Sequence, residues 1–172
     1  MKTKKNLILL GMMGAGKSTI GSLISKKLNM KFIDTDKVIE NDINMTISDI
    51  FENKGEIFFR NMEQKVIVNL LDTPNVVIAL GGGSFLNEAI RKIIILKHHS
   101  FWLNWETATL LNRIKKNKKR PIAFNSSNIN LISLIEKRAK KYSKADIKIN
   151  CEEMTKTQIV KKIIQLYENF KT

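Results

Sequence analysis

Gly11-Met12-Met13-Gly14-Ala15-Gly16-Lys17-Ser18 stands between an apolar run, Asn6-Leu7-Ile8-Leu9-Leu10, and an amphipathic stretch over residues 17–29. A strand, a glycine-rich turn and a helix, in that order, make a phosphate cradle. The glycines let the backbone curl until its N–H groups converge, and the helix presents its positive end to the same oxygens. In the pattern G-x-x-x-x-G-K-[ST], the lysine reaches the β- and γ-phosphates and the serine hydroxyl ligates Mg²⁺. Lys17 and Ser18 hold those positions here, with Gly14, Ala15, Gly16 and Thr19 around them. The loop marks an ATP-binding protein and leaves the phosphoryl acceptor open.

On the C-terminal side of the loop, Ile20, Leu23, Ile24 and Leu28 fall on one side of a helix. Residues 31–33 read as a short second strand ending at Asp34-Thr35-Asp36. Residues 43–71 read as helix in two pieces, broken near Gly55. Residues 75–80 form a strand by apolar continuity, ended by Gly81-Gly82-Gly83. Helix returns over 87–96, strand over 100–103 and helix over 106–116. The polar, basic stretch 117–130 around Pro121 is read as a loop. Helix over 131–143, strand over 146–149 and a closing helix over 155–170 complete the chain. Strands alternating with helices predict a parallel sheet covered on both faces. No internal repeat or linker divides the chain, so residues 1–172 are read as a single domain. Ligands in such folds bind at the carboxyl ends of the strands. Chemistry is therefore expected at residues 11–18, 34–36 and 81–83.

Composition narrows the setting. With 172 residues, 43% of them hydrophobic, the chain can bury one sizeable core. No apolar run approaches the roughly 20 residues needed to span a bilayer, and the basic start leads straight into the first strand without a signal-peptide pattern. One cysteine, Cys151, excludes an intrachain disulfide. A cytoplasmic protein with no membrane partner is expected. The net charge of +14 could suit nucleic acid. The lysines are scattered over every segment, however, with no RNA-binding aromatic signature or zinc spacing, so a solvated basic surface is the preferred reading. Of 30 basic residues only five are arginine: Arg60, Arg91, Arg113, Arg120 and Arg138. In so lysine-rich a chain, arginines mark places where a planar fork is needed.

The remaining candidates each have a plain alternative. Asp34 and Asp36 suit either helix capping or magnesium water ligation and orientation of an acceptor hydroxyl. Three consecutive glycines point to close backbone approach rather than a mere turn. Arg60 could be a snorkelling surface residue, Arg120 part of a solvated basic run or the cation of a mobile lid, and Arg138 an ordinary helix position. His98 and His99 lack acidic or cysteine partners at ligand spacing and read as structural, as does Cys151. Met12 and Met13 fill space about the loop.

Taken in order, the segments resemble the shikimate kinases. The resemblance runs through Gly11–Gly21, Phe32-Ile33-Asp34-Thr35-Asp36, Gly55-Glu56-Ile57-Phe58-Phe59-Arg60-Asn61-Met62-Glu63, Leu80-Gly81-Gly82-Gly83-Ser84, Lys119-Arg120-Pro121 and Lys137-Arg138-Ala139-Lys140-Lys141-Tyr142. It implies a three-layer α/β P-loop kinase, akin to the nucleoside monophosphate kinases, with a central five-stranded parallel sheet. A substrate-binding region near 35–62 and a lid near 112–125 are implied with it. The implied reaction is Mg-ATP-dependent phosphorylation of the shikimate 3-hydroxyl, and a monomer is expected. Asp36 would hold the acceptor hydroxyls, Arg60 and Arg138 the carboxylate, and Gly81, Gly82 and Gly83 would approach the ring. Arg120 would close on the phosphates, Arg113 would lie near the adenine, and Asp34 would order the magnesium shell through water. Two segments depart from the family: Ala-Lys-Lys-Tyr stands where Ala-Pro-Leu-Tyr is common, and Ile-Ala-Phe-Asn follows Arg120-Pro121 where paired leucines are usual. The alternatives are another small-metabolite kinase, acting on gluconate or a nucleotide, or a nucleic-acid-stimulated ATPase.

Overall fold

The computed structural model describes residues 5–116 and 127–170. Arg120 and the greater part of the expected lid lie outside the described residues. Five parallel strands form one sheet: β1 (Leu7–Leu10), β2 (Lys31–Asp34), β3 (Val76–Ala79), β4 (His99–Asn104) and β5 (Ile147–Asn150). Their order across the sheet is β2-β3-β1-β4-β5. Leu7 pairs with Val77 on one side and with His99 on the other, so β1 is central. All four β1 residues are buried, as a strand covered on both faces requires.

The side-chain period of two sorts the core into two layers. Leu7 and Leu9 face a cluster with α1 (Lys17–Leu28), α5 (Thr107–Lys116), α6 (Asn128–Tyr142) and α7 (Lys156–Asn169). Ile8 and Leu10 face the opposite cluster, with Ile67 and Leu71 of α3 (Ile47–Leu71) and Ile90 and Ile94 of α4 (Glu88–Lys97). The three-layer α/β architecture expected from the sequence is present.

The sequence pattern missed one helix. Residues 35–42, left without an element, fall in α2 (Thr35–Ile43), and Ile43, read as the start of the next helix, closes it. Its nine residues are too few to be stable alone and carry only a thin apolar stripe. Packing stabilises it: Ile39 is buried in a satellite core with Ile50, Phe59 and Val66 of α3. Asn44, left-handed at φ 53°, ends α2, and a Thr46–Asp49 capping box starts α3. The break expected near Gly55 is real, with Gly55 at φ 81° and ψ 168° inside α3. Only glycine adopts that region readily. The expected loop over 117–130 is also shortened at its end, because α6 already begins at Asn128, capped by Ser127. No described helix is long and apolar enough to cross a membrane.

His98 and His99 lie buried at the amino end of β4, on the side of the sheet opposite the glycine loops. The His98 Nδ1 has no hydrogen-bond partner among the described residues. Burial, then the adjacent Lys97, pushes the His98 imidazolium down to about 4 from 6.5. A histidine held neutral in the fold binds fewer protons than the unfolded chain, so stability rises with pH across that window. The fold should be at full stability above about pH 6.5 and lose about 1–2 kcal/mol from this residue by pH 4, after allowance for solvent screening. Chemical denaturation against pH measures this. His98→Leu should flatten the profile between those limits, and an unchanged slope would refute the assignment.

Candidate active site

The strand order β2-β3-β1 places three carboxyl ends side by side, and each carries one of the motifs singled out in the sequence. The phosphate loop leaves β1 and ends at Gly16, whose φ of 89° lets the chain turn into α1. Lys17 donates through Nζ to Gly11 O at 2.8 Å and Met12 O at 3.0 Å, which holds its ammonium across the loop mouth. Phosphate oxygens carry negative charge, so they attract the Lys17 ammonium more strongly than these neutral carbonyls do. Ser18, the next residue, donates from Oγ to Asp34 Oδ2 at 2.5 Å. A hydroxyl and a carboxylate in contact at the head of α1 form a hard-oxygen donor pair of the kind Mg²⁺ takes beside a substrate phosphate.

Asp34 occupies the cap position of α2, yet its side chain makes no capping hydrogen bond to that helix. Its carboxylate contacts Ser18 instead of capping the helix. Thr35, which received no role from the sequence, is fully buried and accepts the Gly81 N–H at 2.9 Å. That bond ties the end of β2 to the end of β3. It sets Asp36, one residue on, against the glycine run.

Each glycine of 81–83 faces a different charged side chain. A Cβ built on Gly81 would lie 2.5 Å from Asp36 Oδ1 and 3.1 Å from Glu63 Oε1. On Gly82 it would lie 3.1 Å from Arg138 Nη1, and on Gly83 2.6 Å from Arg60 Nη1. None of the three has a positive φ. Lack of a side chain, not backbone freedom, is what the site uses here: one carboxylate and two guanidinium groups pack directly on a bare backbone.

The two arginines are held differently. Arg60 lies on α3 just past the Gly55 break. Its guanidinium sits 5.2 Å from the Phe59 ring centre and 5.9 Å from that of Phe51. Nη1 donates to Glu63 Oε2 at 2.7 Å, and Nε to Glu56 Oε1 at 3.3 Å. Burial opposes the Arg60 charge, but Glu63 and then Glu56 outweigh it and raise its pKa. Glu63 is itself buried and accepts from Ser84 Oγ through its other oxygen at 2.7 Å. Glu63 therefore bridges the substrate-region arginine and the glycine run, a role its place in the Gly55–Glu63 motif did not disclose.

Arg138, on α6, reaches across from the other side, with Nη1 3.7 Å from Met12 Sδ. Its buried Nε has no hydrogen-bond partner among the described residues. Leaving such a donor unmet costs about 1–3 kcal/mol, which an incoming anion would offset. One turn on, Tyr142 donates from its hydroxyl to Gly82 O. Burial raises the Tyr142 phenol to about 12, so it stays a donor at every physiological pH. Arg91 is not part of the cleft. It donates to Phe85 O and Leu86 O, bracing the short 3₁₀ turn that follows the glycines.

Arg113, on α5, stands at the outer wall of the phosphate loop, with Nη1 3.4 Å from Gly14 O. Within the phosphate loop Arg113 thus meets Gly14, while Asp36, Arg60 and Arg138 converge on Gly81–Gly83. Among the described residues no cluster of three or more His, Cys, Asp or Glu could hold a metal ion. Cys151 is buried, and burial lifts its thiol to about 11, so it has no thiolate character near neutral pH.

A family model described as shikimate kinase matches residues 13–168. A shikimate kinase from Sulfurihydrogenibium sp. is 39% identical over 162 residues, covering 93% of this chain and 96% of its own. A solved shikimate kinase from Acinetobacter baumannii, in complex with shikimate, superposes with a TM-score of 0.91. It is 30% identical, with 99% of this chain and 96% of that one covered. Another solved shikimate kinase, from Aquifex aeolicus, is 36% identical with a TM-score of 0.86, over 96% of this chain and 98% of that one.

Proposed function

The chain belongs to the shikimate kinase family, and from that premise we infer that it transfers the γ-phosphoryl group of ATP to the 3-hydroxyl of shikimate. The product would be shikimate 3-phosphate, within aromatic amino-acid biosynthesis. The observation that carries the acceptor assignment is the glycine run, where Asp36, Arg138 and Arg60 each meet one bare backbone position. A small ring bearing one carboxylate and several hydroxyls matches two cations and one anion disposed around a surface without side chains.

Phosphoryl transfer asks the protein mainly for positioning and charge stabilisation. Arg60 and Arg138 would bind the acid carboxylate, and Gly81–Gly83 would let the ring lie against the backbone. Asp36 would orient the acceptor hydroxyl and take its proton as the bond to phosphorus forms. Lys17 would leave the Gly11 and Met12 carbonyls for the β- and γ-phosphate oxygens. Arg120 would add a second positive charge from the lid, and Arg113 would lie beside the adenine. Ser18 would ligate Mg²⁺ directly, and Asp34, already 2.5 Å from the Ser18 hydroxyl, would hold its water shell. When bound, the ion would supply positive charge that neutralises the phosphate oxygens. The scattered lysines are read as solvated surface of a cytoplasmic, monomeric, single-domain enzyme, with substrate region near 35–62 and lid near 112–125.

The carboxylate claim has its own test. Shikimate methyl ester keeps the three hydroxyls and removes the charge. Its kcat/KM should fall by about a hundredfold, the worth of two charge-assisted contacts. Comparable turnover of ester and acid would remove Arg60 and Arg138 from substrate recognition.

A further inference from the structure

Trp105 lies between β4 and α5, outside every motif that defines the phosphate loop. Its indole Nε1–H donates to Ala15 O at 3.0 Å. The Arg113 guanidinium carbon lies 3.7 Å from the Trp105 ring centre, in direct contact with its face. Arg113 in turn approaches Gly14 O. A phosphate cradle turns its N–H groups inward, so its carbonyls must find partners outside. Here two consecutive carbonyls, of Gly14 and Ala15, meet two side chains stacked on each other.

The segment that delivers Trp105 is itself fixed. Asn104 O accepts from Cys151 N at 2.9 Å, and the Asn104 amide donates to Asn150 Oδ1 at 3.2 Å. On the other flank, Glu152 accepts from Glu106 N and Thr109 Oγ1. The segment bearing Trp105 is thus clamped on both sides to the end of β5 and the residues after it, and its ring is a fixed surface for the Arg113 guanidinium. A free arginine side chain loses about 2 kcal/mol of rotamer freedom when it is ordered; one already held on an aromatic face has less to lose.

We propose that Trp105 is a positioning residue of the nucleotide site, holding the outer wall of the phosphate loop and laying Arg113 flat so that its opposite face meets the nucleotide base. The proposal rests on the reading that Arg113 borders the nucleotide. Trp105 acts through Arg113 and the Ala15 carbonyl and touches no reacting atom. Its effect should fall on nucleotide affinity and leave the acid site untouched.

The test uses the full chain with Trp105→Leu, Trp105→Phe, Arg113→Ala and the Trp105→Leu/Arg113→Ala pair. Affinity for Mg-ADP is read by calorimetry, and KM for shikimate by steady-state turnover. Trp105→Leu should weaken Mg-ADP about tenfold, having lost both the stack and the hydrogen bond. Trp105→Phe keeps an aromatic face and loses only the donor, so a loss of about threefold is expected. KM for shikimate should stay within about twofold in both, because the acid site shares neither contact. The double variant should bind Mg-ADP no more than about threefold worse than Arg113→Ala alone. In a Trp102→Phe background, emission from Trp105 should change on titration with Mg-ADP.

Several results would overturn the proposal. Trp105→Leu could leave Mg-ADP affinity unchanged, or weaken nucleotide and shikimate equally with a matching fall in Tm, as general destabilisation would. Full additivity with Arg113→Ala would do so too, as would a loss in Trp105→Leu with none in Arg113→Ala. Failure of the underlying nucleotide reading has a different signature: Lys17→Ala would then bind Mg-ADP as well as the parent chain.

Discussion

Lys17→Ala is expected to lower kcat by about a thousandfold or more while Tm moves by no more than a few degrees. The ammonium rests on Gly11 O and Met12 O at the loop mouth, outside both main core clusters. Removing it deletes a charge from the path of the transferred phosphoryl without opening a cavity. The charge matters more than the two carbonyl contacts, because phosphate charge builds on oxygens that water cannot fully solvate inside a closed site. Turnover and thermal unfolding of the same preparation decide it. Retained turnover would contradict the phosphate role, and loss of cooperative unfolding would show a structural one.

Arg60→Lys is expected to raise KM for shikimate by about ten- to a hundredfold with a smaller change in kcat. Charge is conserved in this change, so a purely Coulombic site would barely respond. The Arg60 guanidinium is placed by the Phe51 and Phe59 faces and by Glu63 at 2.7 Å. Lysine has neither the fork nor the flat surface to use that setting. Gly83→Ala gives a companion result, since its Cβ would come within 2.6 Å of Arg60 Nη1 and must displace the far end of a flexible side chain. Fold stability should change little, and KM for shikimate should rise by about tenfold, with KM for ATP unmoved. An unchanged KM for shikimate in both variants would refute recognition through Arg60.

The parts of this fold that were legible in the sequence are those with strong periodicity or strict backbone demands. Leu7–Leu10, followed by the glycine loop and α1, could be read because buried parallel strands are continuously apolar and the phosphate cradle needs its glycines. The break at Gly55 could be read because glycine interrupts a helix. Helix α2 could not: nine residues with Ile39 as their one fully buried apolar side chain leave no clear stripe, and the contacts with Ile50, Phe59 and Val66 that hold it come from far along the chain.

The site divides in the same way. Residue types in an ordered set singled out Lys17, Asp36, Arg60, Gly81–Gly83 and Arg138. The sheet order brings together the strand ends that lead to Lys17, Asp36 and the glycines, and helices α3 and α6 bring the two arginines. Glu63, Thr35, Tyr142 and Trp105 act through contacts 21, 46, 60 and 90 residues away in sequence. Spacing along the chain has no access to such pairs. A partial signal existed for Glu63, a carboxylate three residues after Arg60, which on a helix falls on the same face. The reason for three glycines also emerged only in space. Backbone conformation does not demand them; Asp36, Arg138 and Arg60 occupy the room their side chains would fill.

One measurement bears most directly on the acceptor. Purified full-length protein with Mg-ATP is assayed for ADP release with and without shikimate, and separately with gluconate, a nucleoside monophosphate or RNA, while the product is identified by mass. The site described here predicts ADP release that depends on shikimate, in step with a singly phosphorylated shikimate, and little release with the others. Release with gluconate or a nucleotide and none with shikimate, or release stimulated only by RNA, would contradict it.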